Sequence, residues 1–123
     1  MTPEEFVNVL RLVALDQVIE STISTIERPP GRGPRQELVE LRDWYKGLAE
    51  HDHSHVRQVA ALAAHAALHR VLSVLDGVVA VEDTPDKGAF QLIFRKGPEE
   101  RVLNPPDGEF LHDLLNLVRD PGA

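Results

Sequence analysis

Apolar residues in the first part of the chain recur at steps of three and four, which is the period of an amphipathic helix. The opening Thr2-Pro3-Glu4-Glu5 suits a helix N-terminus, because proline and acidic residues favour the first turn. The pattern therefore predicts a first helix over residues 3 to about 27. Its expected buried stripe is Phe6, Val9, Leu12, Val13, Leu15, Ile19, Ile23 and Ile26.

This first helix also carries apolar residues outside the stripe, and these predict self-association. A helix of about 25 residues is roughly 37 Å long, whereas a domain of this size has a radius of gyration of only about 14 Å. One end should overhang, so we expect a homodimer through this helix; the alternative is a break near Asp16-Gln17 that folds the helix back. The candidate contact residues are Val7, Leu10, Ala14 and Val18.

Residues 28–35 alternate proline and glycine too closely for a helix or strand and predict a loop. The loop carries three arginines and no acidic residue, and it leads to the start of the second helix. Arginine forks bind carboxylates and phosphates, so the loop is a candidate docking site for an acidic partner; a flexible connection is the other interpretation. No nucleotide-binding glycine pattern is present. The candidate residues are Arg28, Arg32 and Arg35.

Two further helices are predicted after this loop. A short one contains Leu38, Leu41, Tyr45 and Leu48, with Trp44 beside them. A long, alanine-rich one runs from about residue 53 to 76, with Asp52 as its cap and Gly77 as its left-handed C-terminal residue. Because this helix is apolar on most sides, we expect it to be central, with one face buried. That face contains Val56, Ala60, Ala63, Ala67, Val71 and Val74.

After Gly77 the pattern alternates, which predicts strands. We expect strands at residues 78–81, 89–96 and 101–103, joined by turns at residues 84–88 and 97–100. A last helix follows, with the buried stripe Phe110, Leu111, Leu114, Leu115 and Val118. The predicted fold is α+β: a single domain over residues 1–123 with three N-terminal helices, a three-stranded antiparallel meander and a C-terminal helix.

Composition narrows the possible functions. The chain has 123 residues, 42% of them hydrophobic and 27% charged, and a net charge of −7. This charge argues against nucleic acid as a partner. The absence of cysteine excludes disulfides and thiolate chemistry. The acidic start differs from a signal peptide, and no run of about 20 apolar residues is evident, so we expect a cytoplasmic protein that binds no membrane.

Histidine supplies the only candidate catalytic chemistry that we single out. Six histidines are present, and His65 and His69 lie four residues apart on one helix face. His55 lies about 15 Å from His65 along the helix, too far to share one metal ion. The run from His51 to His55, at the helix start, suits capping or solvent contact. The sequence predicts no cofactor, and metal binding or acid–base chemistry at His65 and His69 is the alternative.

No catalytic motif appears in the sequence, and size, acidity and the apolar first helix suit a binding protein. We therefore expect a non-catalytic protein-interaction module with a protein partner. A bacterial inhibitor or immunity-type protein, whose acidic surface covers a basic active site, is one concrete form. The alternative is a small metal-dependent or acid–base enzyme built on His65 and His69.

Overall fold

The computed structural model describes residues 1–117, and its fold contains both helices and a sheet. The helical segments are α1 (Pro3–Leu10), a π-helical segment (Arg11–Asp16), α2 (Gln17–Glu27), α3 (Gln36–Lys46), α4 (Glu50–Leu75) and α5 (Leu111–Asn116). The strands are β1 (Ile93–Lys96) and β2 (Glu99–Val102). Mixed α and β structure is thus confirmed. Val118, predicted to belong to the last helix, lies outside the described residues.

The chain divides into two compact units. One contains Met1–Arg11 and the chain from Ala66 onwards, with the sheet and α5. The other is Leu12–His65, which contains α2, α3 and the first part of α4. Whether the whole chain unfolds as one domain remains a prediction from its length.

The first helical stretch begins where the sequence predicts. The Thr2 hydroxyl accepts a hydrogen bond from the Glu5 amide, and the Glu5 carboxylate accepts one from the Thr2 amide, which forms a capping box. Helical structure then continues to Glu27 through the π-helical segment. Asp16 keeps helical backbone angles, φ −58° and ψ −50°, so the alternative break at Asp16-Gln17 is not observed.

The buried side of this stretch agrees with the predicted one only in part, since Ile23 is buried as predicted. Val9, Leu12 and Val13, expected in the core, are exposed, whereas Val7 is only 1% exposed. The π-helical segment explains part of this difference. Its wider turn shifts the residues after it relative to a regular 3.6-residue period, so one continuous stripe cannot describe both ends.

Helix α4 starts earlier than predicted and ends as predicted. It begins at Glu50, so Asp52 lies inside the first turn and is not the cap. Its C-terminal end is followed by Gly77 at φ 77°, the left-handed conformation that glycine adopts without a steric penalty.

The predicted buried face of α4 is not buried as a whole, since three of its six residues are half-buried and three are exposed. Ala63, Ala67 and Val71 are exposed, whereas Leu72 is 2% exposed and Ser73 is also buried. The half-buried His65 and His69 lie on the same side as Leu72. Because the helix is apolar on most sides, its period does not single out one face. Tertiary contacts therefore decide which face is buried, and they cover the side that carries His65, His69 and Leu72.

The sheet has two strands among the described residues, so the predicted three-stranded meander is wrong. Strands β1 and β2 form an antiparallel hairpin in which Ile93 pairs with Val102 and Lys96 with Glu99, and Gly97 turns at φ 56°. Residues 78–81 form no strand. The amides of Val78 and Val79 instead donate hydrogen bonds to the Ser73 carbonyl at 3.0 and 3.2 Å. They therefore satisfy a carbonyl in the last turn of α4 and are not paired with a neighbouring strand.

An asparagine side chain fastens the irregular chain that precedes the hairpin. The Asn104 side-chain oxygen accepts from the Leu92 amide at 2.8 Å, and its Nδ2 donates to the carbonyls of Leu75 and Phe90. These contacts join the end of α4, the approach to β1 and the exit from β2. One side chain therefore holds together backbone groups that lie up to 29 residues away from it in the sequence.

Helices α2 and α4 are linked by an ion pair. The Arg57 guanidinium donates two hydrogen bonds to the Glu20 carboxylate, with 3.3 Å between Nη2 and Oε2. The hydrogen bonding from Arg57 and, as the smaller cause, its positive charge lower the pKa of Glu20 from its ordinary value of 4.5. Because the folded-state pKa is the lower one, the pair stabilises the fold above pH 4.5 and loses this effect as pH falls through the folded value.

Replacing Glu20 with glutamine is expected to lower the melting temperature slightly near neutral pH. Both side chains are exposed, so solvent and salt weaken the pair. The difference between wild type and Glu20→Gln should shrink in high salt and as pH falls below 4.5, the ordinary pKa. Thermal unfolding over a pH series measures it. A difference that is constant with pH would show that the ion pair is not its cause.

Candidate functional site

A buried polar group with several hydrogen-bond partners, the carboxylate of Asp76, lies directly after α4. Its side chain is 2% exposed. Oδ1 accepts a hydrogen bond from the Leu111 amide at 3.0 Å, and Oδ2 accepts one from the His112 amide at 2.9 Å. Oδ2 also lies 2.7 Å from Nδ1 of the His112 ring. One buried carboxylate therefore meets three nitrogen atoms at the start of α5.

The His112 ring is enclosed by further groups. It stacks on Phe110 with ring centroids 5.2 Å apart, and it meets the His69 ring edge-to-face at 5.3 Å. Its Nε2 lies 3.3 Å from Oδ1 of Asp113. Both ring nitrogens therefore face carboxylate oxygens, and little of the ring meets solvent.

This arrangement is better suited to anchoring the start of α5 than to catalysis. A carboxylate on Nδ1 is the usual orienting partner of a catalytic histidine, but the other nitrogen must then face a substrate. Here Nε2 faces Asp113. The nearby hydroxyl of Ser73 donates to the His69 carbonyl at 2.8 Å and is therefore engaged with the backbone. The geometry makes Asp76 an anionic anchor for two of the first amides of α5.

The opposite end of α5 is held by a cation. The Arg11 guanidinium donates from Nη2 to the carbonyls of Leu115 and Leu117 at 3.0 and 3.1 Å, and to that of Leu114. A negative group at the start and a positive group at the end both favour the helix dipole. Helix α5 has only six residues and would be marginal alone, so these anchors and its buried leucines hold it in place.

The structure places the predicted histidine pair on the inner side of α4. His65 and His69 are half-buried, so they do not lie on a fully solvent-exposed face of the helix. His69 lies against His112. Within residues 1–117, no group of three or more histidine, cysteine or acidic side chains is arranged to hold a metal ion.

The histidines near the start of α4 make local contacts. The His53 ring stacks on Tyr45 with centroids 4.0 Å apart, and its Nε2 lies 2.8 Å from the Tyr45 carbonyl oxygen. His51 and His55 each lie within 3.5 Å of the Asp52 carboxylate. His53 therefore joins α3 to α4, and the other two surround Asp52.

The three arginines of the predicted docking loop are all exposed. Arg35 pairs with Glu37 at 3.1 Å across an exposed surface. Such an exposed pair contributes little to stability, and the guanidinium can exchange this carboxylate for another partner. Glycine is required at one position of this loop, because Gly31 has φ 86°.

A second candidate site is an apolar groove within the unit Leu12–His65. We call it the Trp44 groove; its volume is about 340 Å³. Its lining residues are Trp44, Leu48, Asp52, His55, Val56 and Val59. Trp44 is 52% exposed and Val59 66% exposed. The sequence places Trp44 beside the apolar side of its helix, but only the packing of α3 and α4 brings it next to Val59.

The residues proposed for self-association differ in their exposure to solvent along the first helical stretch. Val7 is buried within the chain, Leu10 and Ala14 are half-buried, and Val18 is exposed. The exposed Val9, Leu12 and Val13 were not among the predicted contacts.

Comparison of the chain with protein-family models, with curated protein sequences and with solved structures finds no match. The geometry of the described residues therefore carries the functional argument. It offers an enclosed Asp76–His112 pair with a structural role and an open apolar groove.

Proposed function

We propose that this chain is a non-catalytic protein-interaction module. The observation that supports the proposal is the exposure of α4, since only 11% of its most apolar 18-residue stretch is buried. Val59 and Leu62 of this helix are 66% and 73% exposed. Large apolar side chains grouped on a well-formed helix usually mark a contact surface for another molecule.

An acidic chain suits a basic partner. The net charge of −7 favours encounter with a positively charged surface, as in an inhibitor or immunity-type protein that covers a basic active site. The same charge disfavours nucleic acid. A protein with a basic surface, and not a nucleic acid, is therefore the partner that we propose.

Membrane contact is a competing use of the exposed helix. Among the described residues, α4 is long and apolar enough to cross a bilayer by length and composition alone. The expectation that no segment has the length and apolar composition of a membrane span is therefore wrong for this helix. It carries Arg57, which pairs with Glu20, and a run of histidines, and such polar groups are costly in hydrocarbon. We therefore retain a protein partner, in the cytoplasm, as the proposal.

Self-association through the first helical stretch is part of the proposal. Val9, Leu12, Val13 and Val18 are exposed there. Light scattering at micromolar concentration should give about twice the 13.7 kDa monomer mass. Val18→Glu should restore the monomer, because a charge in an apolar interface must be desolvated.

The matched control for this experiment is Gln17→Glu, which adds the same charge at the neighbouring exposed position. It should leave the doubled mass unchanged. Leu10→Glu is a less clean test, since Leu10 is half-buried and its replacement also disturbs the fold. A wild-type mass near 13.7 kDa would reject self-association.

The rival function is an enzyme that uses His65 and His69. The metal content of protein purified without an affinity tag distinguishes it from a binding module. Stoichiometric zinc, iron or manganese that is lost in a His65→Ala/His69→Ala variant would contradict the non-catalytic proposal. We expect no stoichiometric metal, because no group of three or more histidine, cysteine or acidic side chains within residues 1–117 is arranged to hold a metal ion.

A further inference from the structure

The Trp44 groove has the size and the composition of a site for apolar side chains. Its volume of about 340 Å³ lies at the lower end of the roughly 300–1,000 Å³ range of ligand sites. Trp44, Leu48, Val56 and Val59 provide most of its lining. A groove of this size suits one or two large side chains better than a bulky cofactor.

The walls of the groove are held in place before any partner binds. Next to Trp44, the Tyr45 side chain is buried and stacks on His53, whose Nε2 meets the Tyr45 carbonyl oxygen at 2.8 Å. These contacts join α3 to α4, the two helices that carry the lining residues of the groove. A site formed in advance loses less conformational entropy on binding, which favours affinity.

The groove has a largely apolar lining that includes one aromatic residue, Trp44. Trp44 and Val59 are more than half exposed, and Leu41 and Leu62 extend the apolar surface along α3 and α4. Tryptophan is enriched among the residues that dominate binding energy at protein interfaces. Removal of these side chains from water is the main expected driving force.

The charges around the groove are mainly negative. Glu37 and Glu40 share the face of α3 that carries Trp44, since they precede it by seven and four residues. Asp52 lies in the lining itself. Arg42 and Lys46 are only two residues from Trp44 along α3, so both point away from its face. The lining, as formed by described residues, contains no lysine or arginine.

From this combination we infer that the Trp44 groove binds a basic amphipathic segment of a partner protein, with an apolar side chain in the groove and lysine or arginine beside Glu37, Glu40 and Asp52. The inference rests on the proposed binding function and names the partner's chemistry. A second copy of this chain fits less well, because its net charge is also negative. An anionic membrane is disfavoured for the same reason.

Trp44 is the only tryptophan in the chain, so its fluorescence reports directly on the groove. The probe is a synthetic amphipathic helical peptide of leucine and lysine, titrated into the full chain. We expect a saturable blue shift, with an affinity that falls as salt rises. A peptide with glutamate in place of lysine should bind at least about tenfold more weakly.

Two sets of variants locate the binding site. Val59→Ser should weaken binding about tenfold, whereas Val71→Ser, at an exposed valine of the same helix, should not. The triple variant Glu37→Gln/Glu40→Gln/Asp52→Asn should weaken binding about fivefold or more at low salt. Its control, Asp83→Asn/Asp107→Asn/Glu109→Gln, makes the same change in net charge at exposed positions elsewhere. Circular dichroism verifies that each variant is folded.

Several results would overturn the inference. They are no saturable shift with the lysine peptide, equal binding of the glutamate peptide, equal binding by Val59→Ser, and an equal shift with phosphatidylcholine vesicles. The last result would assign the groove to a lipid surface. Light scattering tests the proposed function separately, so a doubled mass with no peptide binding would reject only the basic partner.

Discussion

Replacement of Asp76 with alanine is expected to lower the free energy of unfolding by about 3 kcal/mol or more. The buried carboxylate accepts hydrogen bonds from the amides of Leu111 and His112 and meets Nδ1 of the His112 ring. Alanine leaves these groups without their partner, and each buried polar group left unsatisfied costs about 1–3 kcal/mol. Urea unfolding followed by circular dichroism measures the loss.

Asp113→Ala is the matched control, because Asp113 contacts the same histidine ring from the exposed side. Its Oδ1 lies 3.3 Å from Nε2 of His112, and its side chain is largely open to solvent. The expected loss is below about 1 kcal/mol. Equal losses in the two variants would show that the anchoring of α5 does not depend on burial of the Asp76 carboxylate.

Leu72→Ala is expected to cost about 2–5 kcal/mol, as for other leucines removed from protein cores. Leu72 is 2% exposed, so its truncation leaves a cavity that the surrounding side chains fill only in part. Val71→Ala, one residue earlier on the same helix, should change stability by less than about 0.5 kcal/mol, because Val71 is 56% exposed. Chemical denaturation of both variants provides the comparison.

This pair of variants decides which side of α4 faces the core. A large loss for Val71→Ala with little loss for Leu72→Ala would restore the face that the helical wheel predicts. Ala63→Leu and Ala67→Leu extend the test: both positions are exposed, so the added volume should not overpack the interior. If these two variants instead lost about 1–3 kcal/mol, the predicted face would be the buried one.

The positions of the helices follow from local sequence signals. The capping box of Thr2 and Glu5, the proline-rich break after Glu27 and the left-handed Gly77 are short-range features, and each lies where the sequence predicts. The hairpin turn at Gly97 is equally local. Such signals act within a few residues and need no knowledge of the rest of the fold.

The functional candidates could be predicted only in part. His65 and His69 are visible as a pair from their spacing, but the contact of His69 with His112 joins residues 43 positions apart in the sequence. Asp76 lies beside Gly77 at a helix end, and nothing local shows that it binds the start of α5. The Trp44 groove likewise depends on the packing of α3 against α4, which periodicity does not specify.

The sequence by itself determined where this chain is helical, where two of its glycines turn, and that its composition is acidic and free of cysteine. Tertiary structure alone decided which side of α4 is buried and that residues 78–81 do not form a strand. The physical reason is the same in both cases. Local propensity does not choose between the possible arrangements, and contacts formed in the fold select one. The Asp76 carboxylate accepts from an amide at the start of α5, and the Asn104 side chain bonds to Leu75, Phe90 and Leu92. Over a shorter range, the Ser73 carbonyl accepts from the amides of Val78 and Val79.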